Sequence, residues 1–90
     1  MAWERKIMRV VRVRNDQQIG VLANLLSAIS ENGGNIGSVQ LLTDTSQHVV
    51  RDITVYADDE THLEHVLAAV RANPGTVVVE VRDEVFGLLR

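Results

Sequence analysis

The sequence predicts an α+β fold in which four strands form one antiparallel sheet and two helices cover one of its faces. Three observations carry this. Apolar residues recur at helical steps in two segments, Ile19–Ile29 and Leu63–Val70. Runs rich in β-branched residues flank both segments. The resulting order is β-α-β-β-α-β, and two right-handed crossovers place both helices on the same face.

The first strand is read from Lys6 to Arg14, rich in valine and arginine, and it ends at the polar cluster "NDQQ". In the first helix, Ile19, Leu22, Leu25, Leu26 and Ile29 form one apolar stripe. Asn15 or Asp16 is placed to accept hydrogen bonds from its first free N–H groups. Gly33 or Gly34 suits the left-handed position that ends a helix. Asn35 to Thr43 reads as the second strand and His48 to Ala57 as the third, joined by the turn "DTSQ", whose Asp44 and Ser46 can bond nearby backbone. In the second helix Leu63, Val66, Leu67 and Val70 form the buried stripe. Acidic residues stand in its first turn, where the helix dipole favours them, and Pro74 stops it at Asn73. "TVVVEVRD" is the last strand.

The layout is the ferredoxin-like βαββαβ sandwich. Its edge strands are the second and fourth, and both are apolar here ("VQLL" and "TVVVEV"). Exposed apolar edges invite pairing, so a homo-oligomer is expected, in the first instance a dimer through an edge strand, or else burial of the edge against a neighbouring domain. Residues 1–84 are read as the domain. The apolar end "DEVFGLLR", with Val85, Phe86, Leu88 and Leu89, reads either as the start of a linker over residues 85–90 or as a tail packing on the sheet.

Composition narrows the function. Ninety residues, 46% of them apolar and 23% charged, suit one globular domain. With no cysteine there is no disulfide, thiolate metal site or cysteine nucleophile, which suits a cytoplasmic protein. No apolar run is long enough to cross a bilayer, and the N-terminus is too charged for a secretory signal. The basic cluster Arg5, Lys6, Arg9, Arg12 and Arg14 reads as solvent-facing strand residues rather than a phosphate strip. Three aromatic residues are too few for base stacking, so no nucleic-acid partner is expected.

No catalytic constellation is legible. His62 and His65 share a helix face, but no third zinc ligand stands at a telling spacing. Asp44 and Asp52 lack a nucleophile or histidine partner, and Arg51–Asp52 reads as an ordinary charge contact. Metal and cofactor sites are therefore not expected. What remains is "NDQQIGVL": Gly20 lets a ligand approach the backbone, and the helix start offers free N–H groups to an anion.

The glycine followed by "VL" at the first helix, with "NGGNIGSV" downstream, resembles an ACT domain over nearly the whole chain. "GGNIGSVQLL", "VVRDITVYA" and "DEVFGLLR" are similar to the ACT segment that precedes the catalytic part of some bacterial malic enzymes (malate oxidoreductases). The resemblance implies a non-catalytic module for allosteric regulation that binds an amino acid or related carboxylate between two copies and controls an attached NAD(P)-dependent enzyme. One copy would offer Asn15 or Asp16 with Gly20, Val21 and Leu22, and the other Asn35 and Ile36. The family loop commonly has proline before the glycine, where this chain has Ile19, and the loop here is one or two residues longer. The competing expectation is a module that only dimerises.

Overall fold

The computed structural model describes residues 7–83, and the elements follow the expected order: β1 (Ile7–Asp16), α1 (Val21–Glu31), β2 (Asn35–Asp44), β3 (His48–Ala57), α2 (Glu60–Ala72) and β4 (Thr76–Arg82). The first residues of the basic cluster, Arg5 and Lys6, and the apolar end at 85–90 lie outside the described residues. The sheet order is β2-β3-β1-β4, and every neighbouring pair is antiparallel. The edges are β2 and β4, as the topology requires.

Alternation along the strands separates the two sheet faces. Val11 and Val13 of β1 and Ile53, Val55 and Ala57 of β3 point to the helix side. They pack against Leu25 and Ile29 of α1 and Leu63, Val66, Leu67 and Val70 of α2. The stripe expected for α2 is thus buried in full.

At the start of α1 the structure departs from expectation. β1 runs on to Asp16, so Asn15 and Asp16 are strand residues and neither caps α1. The helix begins at Val21 behind Gly20, which has φ +90° and supplies no side-chain cap. Ile19 is outside the helix and fully exposed, and Val21 takes its place in the buried stripe beside Leu25 and Ile29. A left-handed glycine turns the chain between the two, so helical spacing cannot be extended back through it.

The other boundaries follow local chemistry. Gly33, at φ +80°, ends α1; its N–H donates to Ser30 O and that of Gly34 to Ile29 O. Asp59 caps α2 by accepting from the His62 N–H at 2.8 Å. In the β2–β3 turn the bonding side chain is Thr45, rather than Asp44 or Ser46. The Thr45 hydroxyl donates to His48 O at 3.0 Å and accepts from the His48 N–H at 3.0 Å.

β2 is exposed along almost its whole length. Only Ile36 packs against the core, whereas Val39, Leu41 and Leu42 are 41%, 56% and 40% exposed. Its register against β3 slips between Ile36 and Val39 and again between Leu41 and Thr43, leaving Val39–Leu41 as a regular run. β4 exposes Val77 and Val79 on the other edge.

Candidate functional site

The loop between β1 and α1 is held from below. The Asp16 N–H donates to Gly75 O at 2.8 Å and the Gln17 N–H to Gln47 O at 3.0 Å. The Gln17 carboxamide donates to Asp44 Oδ1 at 2.8 Å and to Thr45 O at 2.9 Å, tying the loop to the β2–β3 turn. Asp44 is thereby committed to the loop and forms no acid–base pair with Asp52.

Above those ties the loop is open. A Cβ on Gly20 would meet nothing within 4 Å. Helix α1 starts with no side-chain cap and no acidic residue in its first turn; the Val21 N–H donates to Gln18 O at 3.4 Å, which leaves the N–H groups of Leu22 and Ala23 and the positive end of the dipole at the helix start. Gln18 is exposed, and its carboxamide is unengaged among the described residues. Sequence reasoning passed over this residue. The signal was the extra loop length itself, which puts a glutamine two positions before the glycine.

Asn15 stands elsewhere than the loop. It is 1% exposed on the helix side of β1, and its Nδ2 donates to Thr76 Oγ1 at 2.8 Å. Asn73 Nδ2 donates to the same hydroxyl at 2.9 Å, while Asn15 Oδ1 is buried without a partner. Asn15 thus braces β4 against β1 and leaves one acceptor over. Asp16 is exposed at the strand end, Val21 is buried at the head of α1, and Leu22 is half-buried.

Asn35 and Ile36 lie at the opposite end of the sheet. Asn35 faces Tyr56, which faces Met8 across β3 and β1, whereas the loop follows Asn15 and Asp16. Met8 and Asn15 are seven steps apart along β1, about 24 Å at ~3.4 Å per step. One chain therefore cannot bring Asn35 to Gly20. Asn35 itself is exposed, with its Oδ1 accepting from the Ile36 N–H at 3.0 Å.

The uncovered face of the sheet carries a charge network. Asp52 accepts from Arg12 Nε at 2.9 Å, Arg12 Nη2 at 3.1 Å and Arg82 Nη2 at 2.9 Å. The Arg12 hydrogen bonds hold its carboxyl below the usual carboxylate range against the opposing effect of burial, with Arg82 adding to the lowering. Its partners are Arg12, opposite it on β1, and Arg82, which reaches across β1 from β4, not Arg51, which points to the other face. On the helix side Arg9 pairs with Glu60. His62 is engaged by backbone, and among the described residues no three metal-ligating side chains come together. No helix of the described residues is long and apolar enough to cross a membrane.

With this fold and loop in view, comparison with known families is decisive: the ACT domain profile matches residues 6–81. This chain belongs to the ACT domain family. ACT domains are regulatory ligand-binding modules, not catalytic ones. The chain is 32% identical over 83 residues to NAD-dependent malic enzyme 1 of Bacillus subtilis (strain 168), covering 91% of this chain and 19% of that enzyme. It is 29% identical over 76 residues to the NAD-dependent malic enzyme of Geobacillus stearothermophilus, covering 84% of this chain and 16% of that enzyme. The chain thus spans less than a fifth of either curated relative. Among solved structures, the ACT domain from GTP pyrophosphokinase of Chlorobium tepidum matches with a TM-score of 0.67 at 14% identity, over 84% of this chain and 95% of that one, a likeness of fold.

Proposed function

We propose that this ACT domain binds a small amino acid or related carboxylate between two copies of itself and so controls an attached enzyme of the malic enzyme type. The carrying observation is the separation of the two half-sites: an open, uncapped helix start behind Gly20 at one end of the sheet, and Asn35 at the other. Neither half is a site alone.

The geometry of β2 supplies a way to join them. Its regular run is centred on Gln40, between two register slips. Antiparallel pairing of two β2 strands about Gln40 is self-complementary, as a two-fold interface must be. It sets Asn35 of one copy opposite Thr45 of the other, and Thr45 O is bonded to the loop through Gln17. The helix start then offers the N–H groups of Gly20 and Leu22, on either side of buried Val21, to a carboxylate. Gln18, Asp16 and Asn35 offer polar contacts, Ile36 an apolar one, and Asn15 a buried acceptor behind the loop. Regulation follows by linkage: a ligand that prefers one arrangement of two copies shifts the attached enzyme toward the state containing it.

Titration calorimetry against the twenty amino acids and small dicarboxylates, on protein shown to be dimeric by centrifugation, tests this. Heat with at least one of them, lost in Asn35→Ala, is expected; no heat with any of them overturns it. A second reading, a module that only dimerises, is favoured by the exposed apolar run on β2 and the pinned loop. It predicts that Leu41→Asp abolishes the dimer while Asn35→Ala leaves an attached enzyme's response to these compounds unchanged.

A further inference from the structure

His62 links the two helices at the turn that launches Asn35. Its side chain is 19% exposed and contacts backbone on both sides. The Asp58 N–H donates to Nδ1 at 2.9 Å, so Nδ1 is an acceptor and the ring proton sits on Nε2. Nε2–H then donates to the carbonyl of Asn32, the residue that closes α1, at 2.8 Å. A Cβ on Gly33 would lie 3.0 Å from Nε2, so the ring rests directly on this turn. Only Gly33 and Gly34 separate Asn32 from Asn35.

We infer that His62 is a positioning residue for Asn35 and makes that half-site responsive to pH. The inference rests on the reading of Asn35 as a ligand contact. The neutral ring has one acceptor and one donor, and the fold uses each once. A proton taken from solvent converts Nδ1 to a donor. It then faces another donor, the Asp58 N–H, and that hydrogen bond is lost. The nearest charged acceptor is the Asp58 carboxylate, whose Oδ2 is 3.6 Å from Nδ1. Turning toward it draws the ring from Asn32 O and loosens the turn. The groups that contact the ring are the Asp58 N–H and carboxylate on its own side, and the Asn32 carbonyl and Gly33 from the end of α1, while the Asp59 carboxylate is engaged by the His62 backbone N–H. What α1 presents to the ring is therefore backbone.

Nitrogen-15 NMR of the protein without ligand tests this. Long-range imidazole spectra at about pH 8 should show the Nε2–H tautomer of His62, and the same spectra are followed as the pH is lowered to about 5. The amides of Asn32, Gly34 and Asn35 should move with the midpoint of the His62 ring, not with those of His48 or His65. In His62→Gln, whose amide can still donate to Asn32 O, that inflection should be lost. An Nδ1–H tautomer overturns the inference, as do turn amides that ignore the His62 midpoint or keep their inflection in His62→Gln. Should that variant fail to fold, the wild-type tautomer and midpoints still decide. Failure to find a ligand by calorimetry would leave these results untouched, so the two readings fail separately.

Discussion

Replacing Asp52 with asparagine tests whether the charge network on the uncovered face stabilises the sheet. Asp52 is 7% exposed and joins β3 to β1 through Arg12, while Arg82 closes the network from β4. The asparagine side chain would have the same shape, with one acceptor oxygen and an NH2 group facing a guanidinium. Hydrogen bonds to charged groups contribute ~1.5–3 kcal/mol, and stranding part of a buried pair costs ~3–5 kcal/mol. The side chains of Arg12 and Arg82 are 33% and 23% exposed, so water recovers part of what they lose. The expected loss for Asp52→Asn is therefore about 2 kcal/mol at neutral pH, or roughly 8–16 °C in Tm for a domain of this size. Urea and thermal unfolding at one fixed protein concentration measure it. The pH dependence adds a second requirement. The folded-state carboxyl is held low by Arg12 first, so its contribution is complete above the unfolded value, about 3.9, and is lost as pH falls through the lower folded value. The gap between wild type and Asp52→Asn must then narrow in acid. A variant within about 0.5 kcal/mol of wild type at neutral pH, or a gap that widens in acid, refutes the reasoning.

Two further substitutions test the helix layer. Leu25→Ala removes a side chain with no exposure from the centre of α1 and should cost about 3 kcal/mol in urea unfolding, within the ~2–5 kcal/mol range for buried leucine. Gly34→Ala places a Cβ 2.9 Å from Ile29 Cγ2 and 3.2 Å from Ile29 O, so it should destabilise by about 1–3 kcal/mol through overpacking, although an alanine elsewhere in a turn costs little.

Much of the fold was legible because periodicity records burial. β3 and the buried face of α2 match the sequence reading residue for residue, since a run rich in β-branched residues and a 3–4 apolar step each fit one kind of buried surface. The start of α1 was misread for a physical reason. Ile19 continues the apolar step backward, and only the backbone conformation of Gly20 shows that the helix cannot. The Asp52 partners were likewise hidden. Adjacent Arg51 looks like the natural counter-ion, but neighbouring strand residues point to opposite faces, and the true partners come from register with Arg12 and from β4.

The candidate site was readable as a list of residues and not as a place. Asn15 stands next to the loop in sequence, yet two residues of continued β1 pairing turn it inward, where Thr76 consumes its amide. Gln17 and Gln18 look equivalent, yet one side chain is spent on the β2–β3 turn and the other is open. Asn35 and Gly20 are fifteen residues apart in the chain but at opposite ends of the sheet. That separation decides how the chain can be tested. A ligand site proposed within one copy would predict binding to a dilute monomer. A site shared between copies predicts that affinity falls with dilution and that Leu41→Asp, which touches no proposed ligand contact, removes binding by removing the partner. Binding that survives in a monomeric Leu41→Asp would place the site within one chain, and the sheet would then have to bring its two ends together by a route this fold does not contain.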